Sequence, residues 1–263
     1  MKSSDLQNTL SADGGGYPDL PSGPRIDKVR ALFAGFPGRL KVLDIGCANG
    51  GILLPLIDRH ELHGVDLSPA LVKMANASGI KTLEHDIEGG PLPYPDKSFD
   101  AVFCGETIEH QVDTDWLMSE LNRVLKPGGR LVLTFPNIRT LLSLGMMAFF
   151  DLPPMYAARY RAPHYRDFTL RTIKFVLKAH GLRFEKAVGS AFFLPKVGEF
   201  GSGLASIFPS WAHTVVVLAT KEKDSVYNPK DTIGALDYSA DDLRSSLGRP
   251  PGVTVLRARQ RAA

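Results

Sequence analysis

Three aspartates recur along the first third of this 263-residue chain at intervals near twenty: Asp44, Asp66 and Asp86. Asp44 stands two residues before a turn of small residues, Gly46-Cys47-Ala48-Asn49-Gly50. Glycines at 46 and 50 let the backbone bend sharply and approach a ligand with no Cβ in the way. An acid just ahead of such a turn can order it, or accept from an ammonium group. Asp66, in His63-Gly-Val-Asp-Leu67-Ser-Pro69, suits the two hydroxyls of a ribose, which are donors in need of an acceptor. It can equally cap the helix that Ser68-Pro69 introduces. Asp86, in Glu84-His-Asp-Ile87, is placed to accept from the exocyclic amine of a nucleobase, with Ile87 against the ring.

A second group is Glu106-Thr-Ile-Glu109-His110. If helical, positions 106, 109 and 110 share one face. Two carboxylates and an imidazole can then hold a divalent metal. Oxygen ligands suit Mg²⁺, and an imidazole tolerates Mn²⁺ or Zn²⁺. Such an ion polarises a hydroxyl and lowers its pKa. Without a metal, the two glutamates are helix-start acids favoured by the dipole, and His110 is a general base or a wall of the site.

Short apolar runs must position these groups: 41–45, 61–65, 81–85, 100–104 and 130–135, each reading as a buried strand. Helical patterns intervene at 51–59, 69–77 and 116–124, so the expected fold is α/β, a parallel sheet covered on both faces with right-handed crossovers. A helix over 170–179 ends at Gly181, a C-cap glycine. A strand over 184–188, an aromatic-rich excursion to Trp211 and a last strand over 213–220 follow, the last expected antiparallel at the sheet edge. Residues 1–24 read as a flexible lead-in, 25–223 as the folded domain and 224–263 as a mobile, Arg-rich tail.

Composition narrows the function classes. Hydrophobic residues make up 44% and charged residues 22%, the profile of a soluble globular protein. The net charge of +3 is matched by the stretch from Ser239 onward alone, where five arginines oppose Asp241 and Asp242. The remainder is close to neutral, which disfavours a nucleic-acid partner. Cys47 and Cys104 lie in apolar strand-like contexts and imply no disulfide framework. The first residues lack the apolar core of a signal peptide, and Leu141 to Phe150 is too short to span a bilayer. A cytoplasmic protein with no membrane span is expected; the sequence leaves its oligomeric state open.

The acids and glycines admit two nucleotide cofactors. A nicotinamide fingerprint is G-x-G-x-x-G, its second glycine admitting the pyrophosphate. Here Ala48 holds that place and the pattern is G-x-x-x-G-G. A sulfonium cofactor has no pyrophosphate and does not need that approach. VLDIGCANG, GVDLSP, the acid of HDI, SFDAVFCGETIEH and LNRVLKPGGRLVLTFPN resemble the successive motifs of class I S-adenosylmethionine-dependent methyltransferases. The resemblance runs from about Val42 to Asn137. It implies a Rossmann-like, doubly wound, seven-stranded sheet with an antiparallel last strand. It also implies Gly46 and Gly50 around the methionine moiety, Asp66 on the ribose, Asp86 and Ile87 at the adenine, and Cys104 lining the site; Asp44, Cys47 and Leu67 complete the cofactor set.

The E-x-x-E-H stretch resembles that of ubiquinone-biosynthesis O-methyltransferases and of small-RNA 2′-O-methyltransferases, where those residues bind a metal. In the latter a downstream histidine joins them, and His164 is this chain's candidate beside Glu106, Glu109 and His110. The expected acceptor is a small molecule methylated at oxygen, with His110 and Glu109 assisting. RNA 2′-O-methylation and a non-catalytic cofactor-binding role are the alternatives. Residues 138–168, rich in Leu, Met, Phe and Tyr, are the expected acceptor-side cover, in which Met155, Tyr156 and Tyr160 suit an apolar ligand; Arg159, Arg161 and Arg166 can meet an anionic one. His60, His63, His180 and His213 read as structural.

Overall fold

The computed structural model describes residues 21–152 and 164–226, all within one compact unit. The expected lead-in before residue 21, the tail from 227, and Met155, Tyr156, Arg159, Tyr160 and Arg161 lie outside the described residues.

The first helix of the described residues is α1 (Pro24–Ala34), whose proline sits in the first turn, where its missing N–H costs nothing. Strands β1 (Lys41–Ile45), β2 (Glu61–Asp66), β3 (Lys81–Glu84), β4 (Phe99–Gly105) and β5 (Leu125–Pro136) follow, with α2 (Pro69–Ala77) between β2 and β3 and α3 (Thr114–Val124) between β4 and β5. Then come α4 (Leu141–Phe150), α5 (Leu170–Ala179), β6 (Leu182–Gly189), a small hairpin of β7 (Phe192–Leu194) and β8 (Gly198–Phe200), α6 (Ser202–Ile207) and β9 (Thr214–Lys221). The main sheet has seven strands in the order β3-β2-β1-β4-β5-β9-β6. β9 is antiparallel to both neighbours and the rest are parallel.

Both faces are covered. Val29 and Phe33 of α1 and Ala75 of α2 pack with Val42, Ala101, Phe103 and Val132 on one face. Leu117 and Leu121 of α3 and Ile173 and Leu177 of α5 pack with Leu43, Val102, Leu131 and Leu133 on the other. Phe33 is fully buried with its ring edge-on to Phe103 at 6.1 Å, and burying one such ring contributes about 1.5–3 kcal/mol. This is why the strand sequences read as continuous apolar runs.

Three local expectations are corrected. The first crossover is not an α-helix over 51–59. Pro55 has no N–H to donate to a helical ladder, and the segment forms turns and one 3-10 turn over Leu54–Leu56. The last strand is not at the edge. β9 lies between β5 and β6, and β6 is the outer strand. The 106–110 stretch is not an α-helix either. Glu106 has φ 51° and its N–H donates to the carbonyl of Thr134, so it still belongs to the strand end. Only Ile108–His110 makes a 3-10 turn.

Candidate functional site

The strand order reverses between β1 and β4, and the carboxyl ends of these strands open the crevice where α/β sheets hold ligands. The turn after β1 is built for close approach. Gly46 and Gly50 have φ of 68° and 79°, and a Cβ at Gly50 would stand 2.2 Å from Ile80 Cδ1. Ala48 also sits at positive φ, 49°, a left-handed conformation that costs an alanine about 1–2 kcal/mol. Asp66 holds it there: one carboxylate oxygen accepts from the Ala48 N–H at 2.8 Å and the other from the Ser68 N–H at 2.9 Å. Each oxygen retains a second lone pair for a hydroxyl. The ligand reading and the capping reading of Asp66 are therefore compatible, since ordering the turn aims the carboxylate. Leu67 is half-buried beside it.

Asp44 is buried at the end of β1; burial raises its pKa well above the carboxylate range, with Asp66 adding to the rise and Arg25 opposing it. Asp86 is exposed two residues past the end of β3, accepting from the Glu88 N–H, and Ile87 is half-buried against the core. Cys47 and Cys104 are free and buried. Burial first, and nearby acids second, push both thiols far up. Cys104 is enclosed in the core cluster with Leu43 and Ile45, so the structure places it beneath the crevice rather than on its open wall.

The sequence reading missed one member of this group, Arg25. Its guanidinium reaches from the first turn of α1 to Thr134 Oγ1 at 3.4 Å, and that hydroxyl donates to Glu106 at 3.1 Å. Its charge lowers the pKa of Asp44, Glu106 and Glu109 against the burial that raises them. Three acids sharing one nearby cation leave the crevice able to take an ammonium or sulfonium, while Arg25 can take a carboxylate. The signal was available in Pro24-Arg25, where a cation stands in the first helical turn against the dipole preference.

Beyond the Gly46–Gly50 turn, Glu109, His110 and His164 converge. One ligand atom from each lies within 4.8 Å of the others. The rings of His110 and His164 meet edge-on at 4.6 Å, and His110 Nε2 is 3.9 Å from Glu109. The carbonyl of Glu109 accepts from the backbone N–H groups of Tyr165 and Arg166, and Ile138 N–H donates to Phe168. That strapping brings a histidine 54 residues downstream to His110. Glu106 does not join the group, because its carboxylate turns to Thr134. Glu109 is 2% exposed, and neither carboxylate oxygen has a hydrogen-bond partner among the described residues. Burial, then the neighbouring Glu106, raise its pKa to about 8. Burial, then His110, lower that of His164 to about 4. A buried carboxylate without a partner is costly and calls for a proton or a cation.

A methyltransferase domain model matches residues 43–133. Among curated proteins, a ubiquinone biosynthesis O-methyltransferase of Xylella fastidiosa is 33% identical over 141 residues, covering 49% of this chain and 54% of that protein. A demethylmenaquinone methyltransferase of Deinococcus radiodurans is 39% identical over 100 residues (35% and 42% of the two chains). A 27-O-demethylrifamycin SV methyltransferase of Amycolatopsis mediterranei is 35% identical over 101 residues (35% and 37%). The chain thus spans about half, or less, of the length of these curated relatives. Among solved structures, an S-adenosylmethionine-dependent methyltransferase of Methanosarcina mazei superposes with a TM-score of 0.57 at 18% identity, over 73% of this chain and 96% of that one. The [4+2]-cyclase SpnF superposes at 0.55 and 19%, over 83% and 92%. Such likenesses speak for the fold alone. Motif, turn, acid-tipped strands and fold agree: residues 43–133 match a methyltransferase domain, and the chain is similar to S-adenosylmethionine-dependent methyltransferases over that part.

Proposed function

We propose that the protein transfers a methyl group from S-adenosylmethionine to an oxygen of a small, largely apolar acceptor. The observation that carries this is the junction of two half-sites on one crevice: the Gly46–Gly50 turn with Asp44, Asp66, Asp86 and Arg25, and the Glu109–His110–His164 group beside it. Asp66 holds the ribose hydroxyls, Asp86 and Ile87 meet the adenine, Arg25 takes the amino-acid carboxylate and Asp44 faces its ammonium. The cofactor, when bound, supplies an electrophilic methyl group. The chain's part is then alignment and removal of the acceptor proton. His110 is half-buried at the mouth, beside the orphaned carboxylate of Glu109, and serves as the base. Names of relatives support the acceptor class, since those of the Xylella and Amycolatopsis proteins specify O-methylation.

A divalent metal is the second reading, favoured by the unpartnered Glu109 carboxylate. The fit differs from the Mg²⁺ expectation. With Glu106 turned away, the donors are one oxygen and two imidazole nitrogens, a set for Zn²⁺, Mn²⁺ or Fe²⁺ rather than for Mg²⁺. Donors on one ion at ordinary bond lengths stand about 3.4 Å apart, so the widest pair must close by about 1.4 Å from the 4.8 Å span. A metal there would supply Lewis acidity toward an acceptor hydroxyl.

Transfer of tritium from methyl-labelled S-adenosylmethionine to a panel of phenols, catechols and sugar alcohols, with and without EDTA, tests the reading. Labelled O-methyl product that disappears in His110→Ala supports it. Product only on nitrogen or carbon acceptors, or none with any acceptor, refutes the oxygen assignment.

A further inference from the structure

The hairpin of β7 and β8 carries a carboxylate that its packing does not use. Its tip, Leu194-Pro195-Lys196-Val197, closes by a hydrogen bond from the Val197 N–H to the Leu194 carbonyl at 3.2 Å. Proline in second place and Lys196 in third, at φ 69°, are what a type II turn asks for. The register that follows sets Phe192 opposite Phe200 and Phe193 opposite Glu199. Directly opposed residues share one face of a hairpin. One face therefore pairs two phenylalanines, with ring centroids 5.9 Å apart, and the other pairs Phe193 with Glu199.

The Phe193–Glu199 face meets the carboxyl ends of the strands. The Phe193 ring lies 5.1 Å from that of His213, whose carbonyl accepts from the N–H of Asn137, the first residue past β5. Thr134, three residues back along β5, holds Glu106 and Arg25 in the crevice. Lys28, one turn after Arg25 on α1, anchors the chain on both sides of the hairpin through the carbonyls of Ser190 and Ser202 at 2.6 and 3.0 Å. Charge reports the same neighbourhood. Burial is the largest influence on Lys28, His213 and Glu106, lowering the pKa of the first two and raising that of the third; the charge of Glu199 raises all three.

Glu199 is exposed and makes no hydrogen bond or ion pair among the described residues. The Lys28 ammonium donates to three carbonyls and a hydroxyl instead. The proposed cofactor does not neutralise Glu199 either, since its carboxylate and ammonium are met by Arg25 and Asp44. A carboxylate next to an accessible ring recognises an ammonium, by Coulomb attraction and by the face of the ring. Phe193 is 37% exposed and offers that face.

We infer that Phe193 and Glu199 form an acceptor subsite for an ammonium group, so that the acceptor is an apolar body with its amine at the hairpin and its hydroxyl at His110. The inference rests on the proposed methyl transfer for the hydroxyl end, and the amine end is measurable without turnover. Three probes share a phenol and differ in one arm: tyramine, 4-ethylphenol and 4-hydroxyphenylacetate. Their dissociation constants for the full chain are measured by saturation-transfer NMR at pH 7, with S-adenosylhomocysteine present. Tyramine should bind about tenfold tighter than 4-hydroxyphenylacetate, with 4-ethylphenol between them, and the gap should narrow with salt. Glu199→Gln should bring the three probes within about twofold of one another, and Phe193→Leu should weaken tyramine about threefold. Glu199 is exposed, so the Tm of Glu199→Gln should match that of the parent. Equal binding of the three probes, a preference for the carboxylate arm, or a gap unmoved by Glu199→Gln overturns the inference. No saturable binding by any probe overturns it too. Selective tyramine binding by a protein with no affinity for S-adenosylhomocysteine would sink the methyl-transfer reading while leaving the subsite standing.

Discussion

Glu109→Gln should stabilise the metal-stripped protein, and the gain should depend on pH in one direction. In the unfolded chain this carboxyl titrates near 4.5, and in the fold burial and Glu106 hold it to about 8. Between those values the native state binds the extra proton, so its stability is full below pH 4.5 and is lost as pH rises toward 8. Each unit is worth about 1.4 kcal/mol, so the folded protein gives up about 2–4 kcal/mol by pH 7. Glutamine keeps the shape and a neutral charge at every pH, and therefore lacks that loss. For a domain of this size each kcal/mol moves Tm by about 2–4 °C. Scanning calorimetry after EDTA dialysis should show variant and parent melting together near pH 5, with the variant higher by roughly 4–16 °C at pH 7. Adding Zn²⁺ or Mn²⁺ at pH 8 should raise the parent alone if the three donors close on an ion. A Tm difference that is the same at pH 5 and pH 8 would refute the assignment of Glu109 as a buried, unpartnered acid.

Gly50→Ala would force a Cβ within 2.2 Å of Ile80 at a φ of 79°. Left-handed strain and overpacking together should cost about 2–4 kcal/mol in urea unfolding, and a loss under 1 kcal/mol would contradict the close approach. Lys28 donates from α1 to the carbonyls of Gly189, Ser190 and Ser202 and to the Ser202 hydroxyl, pinning the segment that carries the β7–β8 hairpin. Lys28→Met should speed proteolytic cleavage within 190–206 severalfold, with S-adenosylhomocysteine binding retained; unchanged cleavage would show that the pin is dispensable. Arg25→Met should weaken S-adenosylhomocysteine about 10–100-fold while affecting adenosine little, because only the former has a carboxylate. Equal losses for both ligands would take Arg25 off the carboxylate.

Much of the sheet was legible because its signals are local. Strands buried on both faces are short apolar runs, and Asp44 and Asp66 close theirs. Asp66 stood out by its place at the end of β2 and by Ser68 two residues on, whereas its other partner, Ala48, lies 18 residues back and left no local mark. What was not legible depends on distant chain. The conformation of Glu106 is set by Thr134, 28 residues away, which unpicks the helical face on which three metal ligands were expected. β9 finds its place between β5 and β6 through pairings on both sides that no periodicity encodes. Arg25 lay at the margin of a segment read as a lead-in, and only the fold brings it to the acids. His164 was reachable by resemblance alone, since the backbone bonds from 165 and 166 to Glu109 that deliver it leave no mark in composition. His213, read as structural, packs against Phe193 at 5.1 Å with its pKa lowered mainly by burial.

The central claim is that acid-tipped strands around the Gly46–Gly50 bend cradle the adenosyl group of a sulfonium cofactor. Titration calorimetry of the purified chain with S-adenosylhomocysteine, beside Asp66→Ala and with NAD as the competitor nucleotide, tests it most directly. The account predicts saturable binding, a loss on the order of 1.5–3 kcal/mol in Asp66→Ala, and no heat with NAD. Binding of NAD with none of S-adenosylhomocysteine, or an affinity untouched by the loss of Asp66, would contradict it.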